Sequence, residues 1–252
     1  MNTEEGRILL PLLIVTPIES EKTALAQGLS AGLGVPFRTL SPREISWLEG
    51  QVTLRYLGMG EHPSRALSDW LSSHPFATVI LAGFAGGISP GAQSGKVHVL
   101  SRIDRTGKEP MEFPDAMWWA GLLGLSLGRG FQTDRIVSLQ KDKSALFVQS
   151  RADIVDMESH SWMEAFKGTG MKAIAIRVVS DGPEDLLPPE VGAFSGEDGS
   201  EQLLRGIGVL FKTPGALFRF LRVLPSLLRA RKELVALGNR LGTLIREGDS
   251  GR

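Results

Sequence analysis

The chain has 252 residues, of which 42% are hydrophobic and 22% are charged, and its formal net charge is zero. This composition excludes a disordered chain and is typical of one substantial core with room for an appendage. The absence of cysteine excludes disulfide bonds, thiolate metal sites and a cysteine nucleophile.

The first predicted element is a buried strand over Ile8–Val15. A signal-peptide core is the weaker interpretation because Glu4 and Glu5 precede the run and no small-residue cleavage site follows it. A helix is predicted from Ile18 to about Gly34. No stretch reaches the roughly 18 apolar residues that a membrane-spanning helix needs. We therefore expect a cytoplasmic protein that does not cross the membrane.

The remaining predicted elements alternate between strands and helices. Strands are predicted at residues 51–57, 78–82, 96–101, 135–139, 153–156 and 173–179, and helices at 64–73 and 157–168, with a glycine turn at 83–87. This alternation favours an α/β fold with a mainly parallel sheet covered by helices. Ligands of such sheets bind at the carboxyl ends of the strands.

Several segments at these strand ends carry candidate chemistry, and each also has a purely structural explanation. The glycines of Gly83–Gly87 let the backbone approach a ligand, or simply make a packing turn. Glu158 could accept hydrogen bonds from two sugar hydroxyls, or interact with a helix N-terminus. Asp181 should have a raised pKa that suits proton donation, or cap the following turn. At most one of Glu19 and Glu21 can face a pocket, because residues two apart on a helix lie on different faces.

Four motifs, in their order along the chain, resemble those of the nucleoside phosphorylase and nucleosidase family: Thr16–Glu21, Gly83–Gly87, Val155–Glu158 and Val178–Asp181. The pairing of Met-Glu with a later Ser-Asp is the specific part. The resemblance implies a three-layer α/β/α sandwich with a central mixed, mainly parallel sheet over residues 1–202. A basic amphipathic helical extension would follow over residues 203–252.

The resemblance also implies an enzyme that breaks the N-glycosidic bond of a purine nucleoside. Asp181 would help to protonate the leaving base, Glu158 would hold the ribose hydroxyls, and Glu21 would activate the attacking water. Met157 would pack on the sugar. The other predicted substrate contacts are Ile18, Phe84, Ala85, Gly86, Ile136, Val137 and Ser180. We expect Asp181→Asn to remove most base release with little change in stability.

Water is the favoured nucleophile. Phosphorylases of this family place an arginine just before the glycine turn, whereas this chain has Ile80-Leu81-Ala82 there. Phosphate would lack its charge-assisted partner, although Arg65 or Arg177 could supply a guanidinium from elsewhere. Four scattered histidines without the paired spacing of zinc enzymes predict no metal, and we expect no cofactor.

A non-enzymatic interaction protein with the same fold is the alternative of a different class. The presence of all three carboxylates, Glu21, Glu158 and Asp181, argues against it. Members of this family commonly form dimers or larger assemblies, so the resemblance also implies a homo-oligomer.

The C-terminal segment is strongly basic: residues 203–246 carry nine Lys or Arg and a single acidic residue. Pro214 and Pro225 predict that it is divided into short helices. A cationic amphipathic helix could bind an anionic membrane at its inner face, or the segment could pack on the core or form a dimer interface, and the two interpretations are equally open. Nucleic-acid binding is not expected, because aromatic residues and glycines are not interleaved with the basic ones.

The substrate is predicted from a finer resemblance. Val155–His160, Leu186–Pro189 and the basic tail resemble the hopanoid-associated branch of the family, which implies release of adenine from the lipid nucleoside adenosylhopane. A soluble nucleosidase for methylthioadenosine, S-adenosylhomocysteine or futalosine is the first alternative. A nucleoside phosphorylase is the second.

Overall fold

The computed structural model describes residues 8–60, 67, 70, 71, 74–188 and 215–249 of the chain. Within these residues one mixed sheet contains the strands β1 (Leu12–Thr16), β2 (Arg38–Ser41), β3 (Glu44–Trp47), β4 (Val52–Tyr56), β5 (Thr78–Gly87), β6 (Val97–Arg105), β7 (Met111–Glu112), β8 (Ser126–Gln132), β9 (Ile154–Asp156) and β10 (Lys172–Asp181). The helices are α1 (Glu19–Leu33), α2 (Ala116–Leu123), α3 (Gln140–Ser150), α4 (Ser159–Phe166) and α5 (Ala216–Asp249), and a short 3-10 helix spans Leu48–Gly50. The predicted α/β fold with a central mixed sheet is confirmed.

The sheet is open on one side and closed on the other. On the open side, β1 pairs in parallel with β4, and β4 continues antiparallel into β3 and then β2. On the other side, β5, β10, β6, β8 and β9 pair in that order and β9 returns to β5, so these five strands form a closed ring. Because β1, β5 and β10 are parallel neighbours, their carboxyl ends meet at one edge of the sheet.

Strand β5 is longer than the predicted strand at 78–82, because it continues through the glycines that we expected to form a turn. Its glycines mainly make room for the protein itself. A Cβ on Gly87 would lie 2.0 Å from the carbonyl oxygen of Ala92, and one on Gly83 would lie 2.7 Å from Oε1 of Glu21. The strand can therefore pass these groups only without side chains at the two positions.

Two other sequence predictions are wrong in their details. Residues 135–139 form no strand, because the chain leaves the sheet after β8 and runs as a loop. The strand β8 was not predicted, since its sequence is rich in glycine. A Cβ on Gly128 would lie 2.7 Å from Nδ1 of His98, and one on Gly130 would lie 2.9 Å from a methyl carbon of Leu100. Close packing, and not strand propensity, explains these glycines.

The basic C-terminal segment forms one long helix over its described part. Helix α5 contains Pro225, which was expected to separate two helices. Proline removes the hydrogen bond to the carbonyl of Leu221, but Leu221 and Pro225 both lie on the exposed side of α5, where water can replace that bond. Pro214 lies outside the described residues.

Helix α5 packs on the rest of the protein through a buried stripe: Val223, Ala230, Leu234, Leu237, Leu241 and Ile245. Its main neighbour is α1, and it also contacts β10. Of the interpretations left open for this segment, packing on the core therefore holds from Val223 onwards. The first turns of α5 differ, because Leu217, Phe218 and Leu221 are exposed there, and Leu228 is exposed further along the helix. Among the described helices, including the 34-residue α5, none contains an apolar stretch that could span a membrane.

The contact between α1 and α5 is made by glycines on both helices. A Cβ on Gly28 of α1 would lie 2.0 Å from the carbonyl oxygen of Val235, and one on Gly238 of α5 would lie 2.6 Å from the carbonyl oxygen of Leu25. Gly32 and Gly242 repeat the arrangement one turn further along. The two backbones are thus in direct contact, which fixes α1, and the residues at its first turn, relative to the sheet.

Candidate active site

A cleft of about 170 Å³ lies at the edge of the sheet where β1, β5 and β10 end. Its lining residues are Pro17, Ile18, Glu21, Met59, Phe84, Ala85, Gly86, Thr133, Arg135, Ile136, Val137, Val155, Asp156, Met157, Glu158, Ser180, Asp181 and Leu187. Every site residue predicted from the sequence is among them. The three carboxylates of Glu21, Glu158 and Asp181, which are far apart along the chain, therefore face one space.

Two irregularities of the sheet bring the later segments into the cleft. Strand β10 pairs residue by residue with β5 until Val179 lies opposite Ala85, and then Asp181 lies opposite Gly86, so that Ser180 is an extra residue. Such a bulge re-aims the following side chain. Strand β9 is antiparallel to β5, with Val155 opposite Gly86. The chain after β9, which carries Glu158, therefore runs back alongside the end of β5.

Glu21 is fixed at the base of the cleft by two backbone amides. Its Oε1 accepts a hydrogen bond from the N–H of Phe84 at 2.6 Å, and its Oε2 accepts one from the N–H of Ile18 at 3.0 Å. The side chain is 2% exposed, and burial raises the pKa of Glu21 to about 8 despite these bonds and the nearby charge of Arg177. Near neutral pH this carboxyl can both hold and release a proton.

Glu158 is held by the loop after β4. Its Oε1 accepts a hydrogen bond from the N–H of Gly60 at 2.8 Å. Burial, together with the charge of Asp156, raises the pKa of Glu158 to about 7. Because the side chain is buried yet lines the cleft, it is available to polar groups of a bound ligand rather than to bulk water.

A buried guanidinium lies behind these two carboxylates. Arg177 of β10 is fully buried, and its Nε lies 2.8 Å from Oδ2 of Asp156. Ser159 donates to the same carboxylate oxygen and accepts hydrogen bonds from Nε and Nη2 of Arg177 at 3.0 and 2.9 Å. Nη2 is 4.0 Å from Oε2 of Glu158, and Nη1 has no hydrogen-bond partner among the described residues.

Asp181 is almost completely buried, and both of its oxygens accept hydrogen bonds. The hydroxyl of Ser180 donates to Oδ1 at 2.6 Å, and Nζ of Lys143 donates to Oδ2 at 2.5 Å. Burial raises the pKa of Asp181, while Lys143 and Ser180 act in the opposite direction. The desolvation predicted from the sequence is therefore present, and a cation that was not predicted limits its effect.

The electrostatics of the cleft do not favour an anionic ligand. Four carboxylates line it: Glu21, Asp156, Glu158 and Asp181. Of the two cations behind them, Arg177 is bound to Asp156 and Lys143 to Asp181. Arg135 is the only cation among the described lining residues, and it is exposed. Arg65 lies outside the described residues. A ligand that gains positive charge is favoured here.

The sequence predicted the acids and offered Arg177 only as a possible guanidinium for phosphate, whereas Lys143 and both ion pairs were not predicted. Asp181 ends a buried strand, Glu158 comes two residues after one, and Glu21 lies in the first turn of the helix after β1, so a buried strand near each acid is a readable signal. Lys143 lies in a polar helical segment beside Lys141 and Asp142, and no local pattern distinguishes it. Arg177 lies within a buried strand, and a charged residue in that position should have indicated a nearby carboxylate partner.

Comparison with known proteins gives a family and a fold. The family model described as the phosphorylase superfamily matches residues 12–200. No curated protein resembles the chain closely enough in sequence to count as a match.

Several solved structures share the fold at low sequence identity. Futalosine hydrolase of Helicobacter pylori strain 26695 is 13% identical, with a TM-score of 0.64 over 94% of this chain and 97% of that protein. A mutant of the H. pylori nucleosidase MTAN, with 5′-methylthioadenosine in its active site, is 12% identical, with a TM-score of 0.64 over 95% of this chain and all (100%) of that one. The third structure is the 5′-methylthioadenosine/S-adenosylhomocysteine nucleosidase from Neisseria meningitidis in complex with methylthio-immucillin-A. It is 14% identical, with a TM-score of 0.62 over 94% of this chain and 98% of that protein.

Proposed function

The chain belongs to the phosphorylase superfamily, and from this premise we propose that it is an enzyme that cleaves the N-glycosidic bond of a purine nucleoside. The observation that carries the proposal is the convergence of Glu21, Glu158 and Asp181 on one cleft at the carboxyl edge of the sheet. Solved structures with the same fold include nucleosidases and a futalosine hydrolase, which supports the same reaction class.

Each carboxylate would have one task in the reaction. Asp181 would pass a proton to N7 of the purine while the bond between C1′ and N9 breaks and its electron pair remains on the base. Glu158 would hold the ribose hydroxyls and Met157 would pack on the sugar. The sugar develops positive charge in this step, and the surrounding carboxylates would stabilise it. Phe84, Ile136 and the backbone of Val137 would contact the base.

Water would complete the reaction. A water molecule beside Glu21 would attack C1′ and give its proton to the ionised form of that carboxylate, which is a stronger base than an ordinary glutamate because burial raises its pKa to about 8. Phosphate is the less suitable nucleophile, because Arg177 is fully buried and bound to Asp156. We therefore infer hydrolysis, with phosphorolysis as the alternative outcome of the experiment below.

For the substrate, we propose the lipid-linked nucleoside adenosylhopane. The surface next to the cleft supports this choice. The hydroxyl of Ser226 in α5 donates to Oδ2 of Asp185 at 3.3 Å, so α5 lies beside the loop that carries Leu187 of the cleft at this point. Leu186 of this loop is 51% exposed, and Phe218 of α5 is 69% exposed. The exposed side chain of Leu186, next to Leu187 of the cleft, and the exposed apolar residues of α5 suit a nucleoside with a hydrocarbon tail.

We expect the purified protein to release free adenine from adenosylhopane in mixed detergent micelles, detected by liquid chromatography. The panel should include methylthioadenosine, S-adenosylhomocysteine and futalosine, each with and without phosphate. A rate that is independent of phosphate, with the free sugar as product, supports hydrolysis. If only the water-soluble compounds are turned over, the substrate is a soluble nucleoside and not adenosylhopane. If no compound yields free base, the proposed function is refuted.

We also propose that the enzyme lies in the cytoplasm and binds the inner face of the membrane through α5. The exposed apolar residues Leu217, Phe218, Leu221 and Leu228 are accompanied by exposed basic ones, among them Arg222, Arg229, Arg231 and Lys232. Arg222 lies over the ring of Phe218, 5.8 Å from its centroid. Apolar side chains with cations around them are the combination that anionic lipid surfaces bind.

The double substitution Phe218→Ser and Leu221→Ser should lower binding to vesicles that contain phosphatidylglycerol by about tenfold or more, because two large apolar side chains no longer enter the lipid. Co-sedimentation with the vesicles measures the bound fraction. Val148→Ser is the matched control, since Val148 is 64% exposed on α3. Equal binding by the double variant and the control would contradict the role of α5.

A further inference from the structure

Lys143 is a buried cation whose three donors are all used. It is fully buried, and its Nζ donates to Oδ2 of Asp181 at 2.5 Å, to the carbonyl oxygen of Gly182 at 2.7 Å and to that of Asp185 at 3.1 Å. The ammonium group therefore joins α3 to the end of β10 and to the loop that follows. None of its hydrogen-bonding capacity remains for a substrate.

The position of Lys143 on its helix is unusual. It is the only fully buried residue of α3, a helix whose other side chains are exposed or half-buried. A lysine normally keeps its charged end in water, and removing two opposite charges from water often costs more than their attraction returns. An apolar residue at this position would leave Oδ2 of Asp181 and the carbonyl oxygens of Gly182 and Asp185 without this donor. The lysine therefore serves the groups at the end of β10 rather than the packing of α3.

Several charged groups surround Asp181. Lys143 of α3 is a cation in contact with it, and Asp185 in the loop after β10 is a nearby carboxylate. Glu21 of α1 and Glu158, at the start of α4, line the same cleft, as does the exposed Arg135. The adjoining part of β5, Ala85 and Gly86, carries no ionisable group. Burial and the neighbouring carboxylates disfavour an ionised Asp181, and Lys143 is the cation in contact with it.

We propose that Lys143 is a positioning residue for Asp181, which orients its carboxyl group and stabilises the carboxylate that remains after proton transfer to the base. This inference rests on the proposed function. When the proton passes from Asp181 to N7, the oxygen that loses it becomes part of a buried anion, and the ammonium group at 2.5 Å balances that charge. The proton is replaced from solvent after the base has left.

Burial and the ammonium group together keep Asp181 useful as an acid. Burial raises the pKa of Asp181, which favours the protonated form but makes the proton harder to transfer. With Lys143 the two influences oppose each other. The same ammonium group fixes Oδ2, while Ser180 fixes Oδ1, so the carboxyl plane has one orientation in the cleft.

The first experiment measures Asp181 directly and needs no turnover. In protein labelled with carbon-13 at the aspartate carboxyl groups, the Asp181 signal is assigned by its loss in Asp181→Asn and followed with pH. In Lys143→Met its titration should move upward by about 1–3 pH units. Lys141→Met is the control, because Lys141 is exposed on the same helix. An unchanged titration of Asp181 in Lys143→Met would overturn the proposal.

The second experiment follows adenine release by Lys143→Met against pH. The alkaline limb of the kcat profile should move upward with the titration of Asp181, while the maximal kcat falls about tenfold or more. In the Asp181→Asn background, adding Lys143→Met should lower kcat by less than about twofold, because the lysine acts through the carboxyl. A uniform loss at every pH, additive with Asp181→Asn, would show a merely structural role.

Folding is controlled in the same series. If Lys143→Met does not fold, Lys143→Gln, which retains a donor for the carbonyls of Gly182 and Asp185, is measured instead with the same expectations. Lys143→Arg, which keeps the charge, should recover part of the activity lost in the neutral variants, and no recovery would count against an electrostatic role. A protein that releases no adenine at all would refute the proposed function, whereas the carbon-13 titration would still decide whether Lys143 controls Asp181.

Discussion

The substitution Asp181→Asn should lower kcat for adenine release by about 10²–10⁴-fold, because asparagine cannot give a proton to the leaving base. The measurement is single-turnover release of adenine at saturating enzyme, which separates the chemical step from product release. Activity close to that of the unmodified protein would remove Asp181 from the mechanism.

The sequence alone led us to expect little change in stability for Asp181→Asn. The ion pair between Asp181 and Lys143 changes that expectation. Asparagine at position 181 would leave the buried ammonium of Lys143 without its anion. Removing one partner of a buried ion pair costs on the order of 3 kcal/mol, so the free energy of unfolding should fall. The double variant Asp181→Asn with Lys143→Met removes both charges. Denaturant unfolding should show that it regains stability, while its activity stays low.

The second large effect is expected at the contact between α1 and α5. Gly28→Ala should lower the free energy of unfolding by about 3 kcal/mol, because the new methyl group would meet the carbonyl oxygen of Val235 at 2.0 Å. That oxygen belongs to helical backbone and cannot move without moving α5. Denaturant unfolding followed by circular dichroism measures the change.

A matched control is available in α2. Gly121 lies within this helix and nothing is within 4 Å of a Cβ built on it. Gly121→Ala should therefore leave stability unchanged or increase it by about 1 kcal/mol, as expected for glycine to alanine in a helix. Equal effects of Gly28→Ala and Gly121→Ala would mean that the helices do not approach as closely as described.

The acidic residues of the cleft could be predicted from sequence because of a simple geometric rule. Glu158 and Asp181 each follow a short run of buried apolar residues, and Glu21 follows Pro17 after another, so all were expected at strand ends. Parallel strands bring such ends together, which holds for Glu21 and Asp181. For this reason the candidate site was recognisable, although Glu21 and Glu158 are more than 100 residues apart in the sequence. Glu158 reaches the same cleft by a different route, because β9 runs antiparallel to β5.

What could not be predicted depends on contacts between distant residues. The ion pair of Lys143 with Asp181 joins residues that are 38 positions apart, and nothing near Lys143 indicates it. The glycines of β8 reflect the side chains of His98 and Leu100 rather than strand propensity. Helix α5 continues through Pro225 because the lost hydrogen bond faces water, which is known only once the buried stripe of α5 is known.

The glycines at the crossing of α1 and α5 also bear on how related proteins can differ. A homologue without the C-terminal helix would leave one side of α1, the helix that carries Glu21, bare. Substitution of Gly28 and Gly32 by bulky side chains is the simplest way to cover it. Loss of α5 and loss of these two glycines should therefore occur together during evolution. The same coupling makes deletion of the C-terminus an unsuitable test of lipid attachment, because it would damage the reaction centre as well.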